Sequence, residues 1–516
     1  MLHDLPTPTA ILTQAIQHYG DRIAFRSATG ALSYRAMGEL IGQMQAVLVR
    51  HGLKPGQRVV LLSANRPEVW CAGAAVNALG AVTSWLHPLG ALSGHVEQCE
   101  DATPAMLVID EMHFSDRGRD LAAAFDGMTI FSLGPSDFGV DLVGLARAAG
   151  ACSIRDASEP DAIGDLGFTG GTTGRAKGIV RSTAAMSRLA SSVLAEFPFP
   201  DRPNYLALGP ISHVTGTKIL PVFMRGGTVD LLTKFDPSEV VLTIERQRIN
   251  CTLAVPTMIY SLLGCPELDR HDITSLELIL YGASPMAPTR LGEALERMGP
   301  VFVQLYGQTE CYPIAVLGKE DHDLARPELL SACGFPIGSL HVAVVDANMN
   351  PVAAGDAGEI VVRGPLVMDG YWQNEAQTAQ AFAGGWLHTG DVAHTDEEGR
   401  IYIVDRMKEM IISGGFNIYP REIEDVLASH EGVAMAAVIG TPDEFWGETV
   451  RAFVIPKPDV ELSGQALIDF VKARKGSMLA PKHVEIVKDL PLTGPGKVDK
   501  SMLRQAFWSG RDRHVG

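Results

Sequence analysis

The 516-residue chain contains no apolar run of the ~18 residues that a membrane-spanning helix needs, so no transmembrane segment is expected. Its start, Met1-Leu2-His3-Asp4-Leu5-Pro6, lacks the basic stretch and apolar core of a secretory signal. Cysteine is scarce: Cys71, Cys99, Cys152, Cys251, Cys265, Cys311 and Cys333 form an odd, scattered set of 7 without metal-ligand spacing. A soluble, reduced, disulfide-free and cytoplasmic protein is the expectation. Positive charge is also short, with Lys+Arg 43 against Asp+Glu 60 and a net charge of −17. That balance excludes a nucleic-acid binder, which needs a basic footprint to displace counterions. Any polyanionic ligand must be gripped by a local site and not by the overall field. Internal repeats and low-complexity tracts are absent as well.

What the chain has is 53 glycines and a composition that is 46% hydrophobic, which fits many short βα loops around buried strands. The length implies roughly three or four folding units. Residues 58–62 read as a buried strand, 67–79 as the helix after it, and 82–86 and 106–109 as the next strands. The alternation resumes with apolar runs at 205–208, 228–232, 251–255 and 278–281, so two successive α/β layers with parallel strands are expected. From 334 to 405 the texture becomes β-rich with Gly and Pro turns. After Asp405 it shifts again: Pro420 opens a helix with Ile423, Val426 and Leu427 on one face, followed by further strands. The expected class is α/β, with a large N-terminal domain over 1–405 that includes a small β-rich subdomain at 334–405. A smaller α+β domain over 406–516 closes the chain.

The strongest local feature is Thr169-Gly170-Gly171-Thr172-Thr173-Gly174-Arg175-Ala176-Lys177-Gly178. Glycines let backbone N–H groups close on an anion, the threonines add hydroxyl donors, and Lys177 adds a point charge: the chemistry of a phosphate cradle. It is not the P-loop of NTPases, because G-x-x-x-x-G-K-[ST] is matched nowhere in the chain. The loop resembles the phosphate-binding motif of the adenylate-forming superfamily: acyl-CoA synthetases, peptide-synthetase adenylation domains and beetle luciferases. That motif usually reads T-S-G-T-T-G-x-P-K-G. Here Gly170 replaces the serine, which removes a hydroxyl, and Ala176 replaces the proline, which frees φ. Both departures bear on ATP affinity more than on the chemistry.

Other segments are similar to that family's motifs, in the family's order. Tyr306-Gly307-Gln308-Thr309-Glu310 matches Y-G-x-T-E, which implies Glu310 as a Mg²⁺ ligand and Thr309 at the α-phosphate. Trp386-Leu387-His388-Thr389-Gly390-Asp391 matches W-x-x-T-G-D, implying Asp391 on the ribose hydroxyls. Ala283 and Ser284 fall in the segment that packs on adenine. Asp405-Arg406-Met407-Lys408-Glu409 resembles the hinge, with Arg406 on ribose or phosphate and Lys408 as the pivot of a mobile C-terminal domain. Gly414 and Gly415 would flank the pantetheine channel of CoA, and Lys497, after Thr493-Gly494-Pro495-Gly496, would be the adenylation lysine. Taken singly, each reads more simply as a solvated turn or a surface lysine.

The resemblance therefore implies an enzyme that uses ATP and Mg²⁺ to convert a carboxylic acid into an acyl-adenylate, then passes the acyl group to CoA. His213, in Pro210-Ile211-Ser212-His213-Val214-Thr215-Gly216, occupies the place of an aromatic residue near the acyl carboxylate, with a satisfied core histidine as the alternative. Val214, Thr217, Tyr281, Gly282, Gly307 and Pro313 are implied pocket neighbours. Small residues there admit a chain or a flat ring, so fatty and aryl acids both stay open, with a slight lean to aryl or medium-chain acids. CoA is expected over other acceptors because the Gly414-Gly415 run is followed by no carrier domain. The rivals are an adenylating enzyme with a non-CoA acceptor and, from another class, a kinase or an ATP-binding regulator. AMP with pyrophosphate, ADP, or no turnover would separate these. No partner protein and no oligomeric state are inferred.

Overall fold

Val59, Val60, Leu61 and Leu62 are buried in succession, the pattern of a strand covered on both faces. In the computed structural model, which describes residues 6–169, 176–413, 416–443, 445–492 and 497–508, they lie inside an eight-stranded sheet. Only the backbone of Thr169, Lys408, Phe416 and Asn417 is described. The strand Arg58–Leu62 pairs in parallel with Val82–Trp85 on one side and Met106–Ile109 on the other. A nine-stranded sheet has a parallel centre of Phe302–Gln308, Leu278–Gly282, Cys251–Ala254, Asn204–Ala207 and Thr228–Leu231.

The helices Tyr34–Arg50 and Pro67–Ala78 bind the two sheets into one core. Met37, Ile41 and Met44 of the first and Val69, Ala72 and Val76 of the second pack with Val59 and Leu61 from one sheet and Tyr205 and Val229 from the other. Close packing needs a glycine here: a Cβ on Gly42 would stand 2.4 Å from the Cys152 carbonyl oxygen.

The sheets are not wholly parallel. The strands Ile163–Thr169 and Lys177–Ser182 pair antiparallel, so the glycine-threonine loop connects strand to strand, not strand to helix. Gly170, Gly171, Thr172, Thr173 and Gly174 lie outside the described residues. Further along, a four-stranded antiparallel sheet forms from His341–Val345, Gly358–Arg363, Leu387–Thr395 and Ile401–Arg406.

The C-terminal part is smaller: a five-stranded sheet with the helices Pro420–Ala428, Gly464–Lys475 and Lys500–Trp508 against it. Pro420 begins its helix where a missing N–H costs nothing, and Ile423 and Leu427 are fully buried. The last helix is anchored by Lys500, whose Nζ lies 2.8 Å from Glu424 and 3.4 Å from Glu409. The 7 cysteines are free thiols. Among the described residues no helix is long and apolar enough to cross a membrane.

Candidate active site

Parallel strands carry their connecting loops to one edge of a sheet, and ligands bind in the crevice outside those carboxyl ends. The loops after Asn204–Ala207, Leu278–Gly282 and Phe302–Gln308 enclose a cavity of about 970 Å³, reached from the other sheet by the loop after Val82–Trp85. The turn at Gly282-Ala283 is tight. Gly282 has φ +155 and an added Cβ would meet the Leu305 carbonyl at 2.2 Å, while Ala283 adopts φ 65. A left-handed alanine is a strained conformation of the kind that collects at functional loops, and here it turns Ala283 onto the cavity wall.

On one flank, Tyr306 donates its hydroxyl to Asp391 Oδ2 at 2.7 Å, and Arg406 Nε lies 3.3 Å from Oδ1 of the same carboxylate. Burial and the neighbouring Asp391 push the Tyr306 phenol well above its ordinary range. Glu310 accepts from the Tyr371 hydroxyl at 3.1 Å, and Lys177 Nζ stands 4.9 Å from the centre of the Tyr371 ring. Arg181 bonds Asp165 at 2.7 Å and donates to the Thr309 carbonyl, which ties the sheet of the glycine-threonine hairpin to the loop carrying Thr309 and Glu310.

Lys497 enters the same cavity from the C-terminal part of the chain. Burial, followed by repulsion from Arg406, lowers its ammonium to about 8, with Asp391 and Glu409 opposing the shift. His213 faces it across the wall and is driven to about 3 by burial, by His87 and by the Lys497 charge. It is therefore a neutral imidazole at ordinary pH, with Nδ1 3.0 Å from the Ser212 hydroxyl. The remaining wall is largely apolar, with Leu12, Trp70, Ala74, Leu189 and Leu220 along it.

The sequence pattern of the AMP-binding enzymes matches residues 12–372, and that of the AMP-binding enzyme C-terminal domain matches 422–497. The chain belongs to the AMP-binding enzyme family. It is similar to a medium/long-chain fatty acid–CoA ligase of Mycobacterium tuberculosis, 40% identical over 98% of this chain and 91% of that one. It is also similar to a feruloyl-CoA synthase of an Amycolatopsis species, 33% identical over 94% and 96%. Among solved structures, an amide bond synthetase from Marinactinospora thermotolerans superposes with a TM-score of 0.89 at 32% identity, covering 97% and 100% of the two chains.

Within this AMP-binding enzyme, Gly307, Gln308, Thr309, His213, Val214, Thr217, Ala283 and Lys497 line the cavity, and Tyr306, Asp391 and Arg406 bond to one another beside it. Tyr281, Gly282 and Pro313 do not reach the wall. Side chains alternate along the strand Leu278–Gly282, and Tyr281 shares the helix-covered face with Ile279, where its hydroxyl meets Gln304 at 3.1 Å and His322 at 2.9 Å. Ser284 is half-buried behind Ala283 and is not on the wall. The side chains of Thr169 and Lys408, together with Gly414 and Gly415, lie outside the described residues.

Several wall residues belong to no motif read from the sequence: His87, Asp165, Arg181 and Tyr312. Asp165 and Arg181 are cross-strand partners four positions before and three positions after the glycine-threonine loop, so hairpin register could have paired them. Lys218 was also missed. It is fully buried, with Nζ 2.6 Å from the Tyr312 hydroxyl and 2.8 Å from Thr217 Oγ1, and burial holds its amine well below the usual lysine range.

Proposed function

We propose that the chain is an AMP-forming carboxylic acid:CoA ligase whose acid carries an extended, largely apolar acyl group. The observation that carries this reading is that Lys497 and His213 share the wall of a cavity of about 970 Å³ whose lining is otherwise largely apolar. A carboxylate is a poor electrophile and needs a leaving group before a thiol can attack it. In the first half-reaction a carboxylate oxygen attacks the α-phosphorus of ATP and pyrophosphate leaves. In the second, the CoA sulfur attacks the acyl carbon and AMP leaves.

Lys497 would bridge the acid and the α-phosphate, where a cation stabilises charge that grows in the transition state. Thr309 would contact the α-phosphate, Asp391 the ribose hydroxyls, Arg406 ribose or phosphate, and Lys177 the outer phosphates with the glycine-threonine loop. Among the described residues no group of three or more His, Cys, Asp or Glu side chains is placed to hold a metal ion. The single carboxylate of Glu310 therefore suits Mg²⁺, which keeps waters and phosphate oxygens as its other ligands and would neutralise phosphate charge there. Lys497 and the CoA thiol cannot occupy the same place, so rotation of residues 406–516 about Lys408 would separate the two half-reactions.

The similarity to a medium/long-chain fatty acid–CoA ligase supports an aliphatic acid over an aryl one. The test is pyrophosphate release with ATP and Mg²⁺ over a panel from acetate to palmitate, with benzoate, with and without CoA. Each buried methylene contributes ~0.8 kcal/mol, so kcat/KM is expected to climb about fourfold per carbon until the cavity fills. Thioester must appear only with CoA. Equal turnover of acetate and decanoate, or a preference for benzoate, would reject the chain-length reading. Release of ADP would reject the ligase itself.

A further inference from the structure

His87 lies on the cavity wall in the loop after Val82–Trp85 and belongs to none of the roles assigned above. Its ring is held in one orientation and one tautomer. The backbone N–H of Leu89 donates to His87 Nδ1 at 3.1 Å, so the proton of the neutral ring sits on Nε2. The loop is pinned behind it: His95 Nε2 donates to the His87 carbonyl at 2.8 Å, and Arg117 holds His95 Nδ1 at 2.6 Å. His87 Nε2 is itself buried and has no hydrogen-bond partner among the described residues. A buried N–H without an acceptor is costly, and such groups mark places where a ligand supplies one.

The position of the ring indicates which part of the ligand that is. His87 stacks edge-on against His213, with ring centres 4.3 Å apart and planes at 82°. His213 in turn feels the Lys497 ammonium. His87 therefore lies on the part of the cavity wall shared with His213 and Lys497. Resting on the ligase reading, we propose that His87 is an acid-binding residue whose Nε2–H donates a hydrogen bond to a carboxylate oxygen of the substrate beside His213. Burial, with a smaller push from His95, keeps the ring neutral by lowering the imidazolium pKa to about 4. A neutral donor orients the carboxylate while leaving it more nucleophilic than a second full positive charge would, so its contribution falls on binding more than on the chemical step.

The test is ATP–pyrophosphate exchange by the full chain with decanoate, or with whichever panel acid exchanges fastest. His87→Phe keeps a ring against His213 and deletes the donor, while His87→Leu is a second deletion should the first fail to fold. His87→Gln returns an N–H at similar reach. The deletion is expected to raise the KM for acid about 10–100-fold, the value of a hydrogen bond to a charged group, with kcat and the KM for ATP changed by less than about threefold. His87→Gln should recover most of the loss. An unchanged acid KM in the deletion, a parallel rise in the ATP KM, or a Gln variant as impaired as Phe would overturn the assignment while leaving the ligase reading intact. Absence of acid-dependent exchange in the unsubstituted enzyme would overturn both.

Discussion

Asp391 and Lys218 are both buried behind residues of the cavity's surroundings, and they are held in opposite ways. Asp391 is 4% exposed and is met by the Tyr306 hydroxyl and the Arg406 guanidinium. Lys218 is 0% exposed and is met by the hydroxyls of Tyr312 and Thr217 and the Val214 carbonyl, none of them anionic. On one flank the Asp391 carboxylate is paired with a phenol hydroxyl and a guanidinium. On the other, burial lowers the pKa of His87, His213 and Lys218. The difference would suit the two ligands proposed above. A polyanion needs fixed charge and dipoles, whereas an apolar acyl group needs a wall that does not have to stay hydrated. Lys497 stands where the flanks meet, and its pKa of about 8 reflects both: burial and Arg406 lower it, Asp391 and Glu409 raise it.

Removing the group on the boundary should do the most damage. Lys497→Ala is expected to slow adenylate formation about 10²–10³-fold, since one close charge pair at intermediate dielectric is worth roughly 4 kcal/mol. Thioester formation from supplied adenylate should survive. Equal losses in both half-reactions would dissolve the distinction between Lys497 and its surroundings.

The pair of Asp391 and Arg406 comes next. Asp391→Asn is expected to raise the KM for ATP about 10–100-fold while moving the acid KM less than about twofold. A matching rise in the acid KM would mean the flanks are not separable.

The pH profile of adenylation gives a smaller effect with a definite sign. Lys497 is charged below about 8 and neutral above it, so the rate should fall about tenfold per pH unit beyond that point. His213 and His87, already neutral, should leave no histidine inflection near an unperturbed value of about 6.5. A rate that rises through about pH 6.5 would show one of them charged in the resting site.

The smallest effect is on stability. The amine of Lys218 titrates far lower in the folded chain than in the unfolded one, so between those two values the unfolded state binds the extra proton. Native stability from this group therefore rises with pH up to the ordinary lysine value of about 10.4 and is lost as pH falls toward the folded one. Lys218→Met removes that dependence. Its Tm relative to the native protein should be most favourable near neutral pH and decline toward about pH 10. A constant difference would mean that Lys218 stays charged when buried.

Much of the architecture was legible because hydrophobic period and glycine loops act over a few residues. Residues 58–62 and 278–281 read as strands and are strands, and Pro420 opens a helix. What local pattern misjudged was direction. The parallel βα rhythm gave no warning that Ile163–Thr169 and Lys177–Ser182 pair antiparallel. Nor could spacing tell which face of its strand Tyr281 occupies, since that depends on the register of Leu278–Gly282 between its neighbours. Arg181 and His87 lacked a motif because their roles come from partners in other segments, Thr309 at one and His213 at the other.

The sequence by itself determined which chemistry-bearing residues exist and in what order: the glycine-threonine loop, Tyr306 to Glu310, Asp391, Arg406 and Lys497. Their order resembles the motifs of the adenylate-forming superfamily, and that resemblance was enough to imply an adenylating enzyme. The tertiary structure alone decided their states. Lys497 and Lys500 are the same side chain three residues apart. One is lowered to about 8 by burial near Arg406, and the other is raised by Glu424 and Glu409. A pKa measures the free energy of a charge in its surroundings, and those surroundings are assembled from parts of the chain that meet only when it folds.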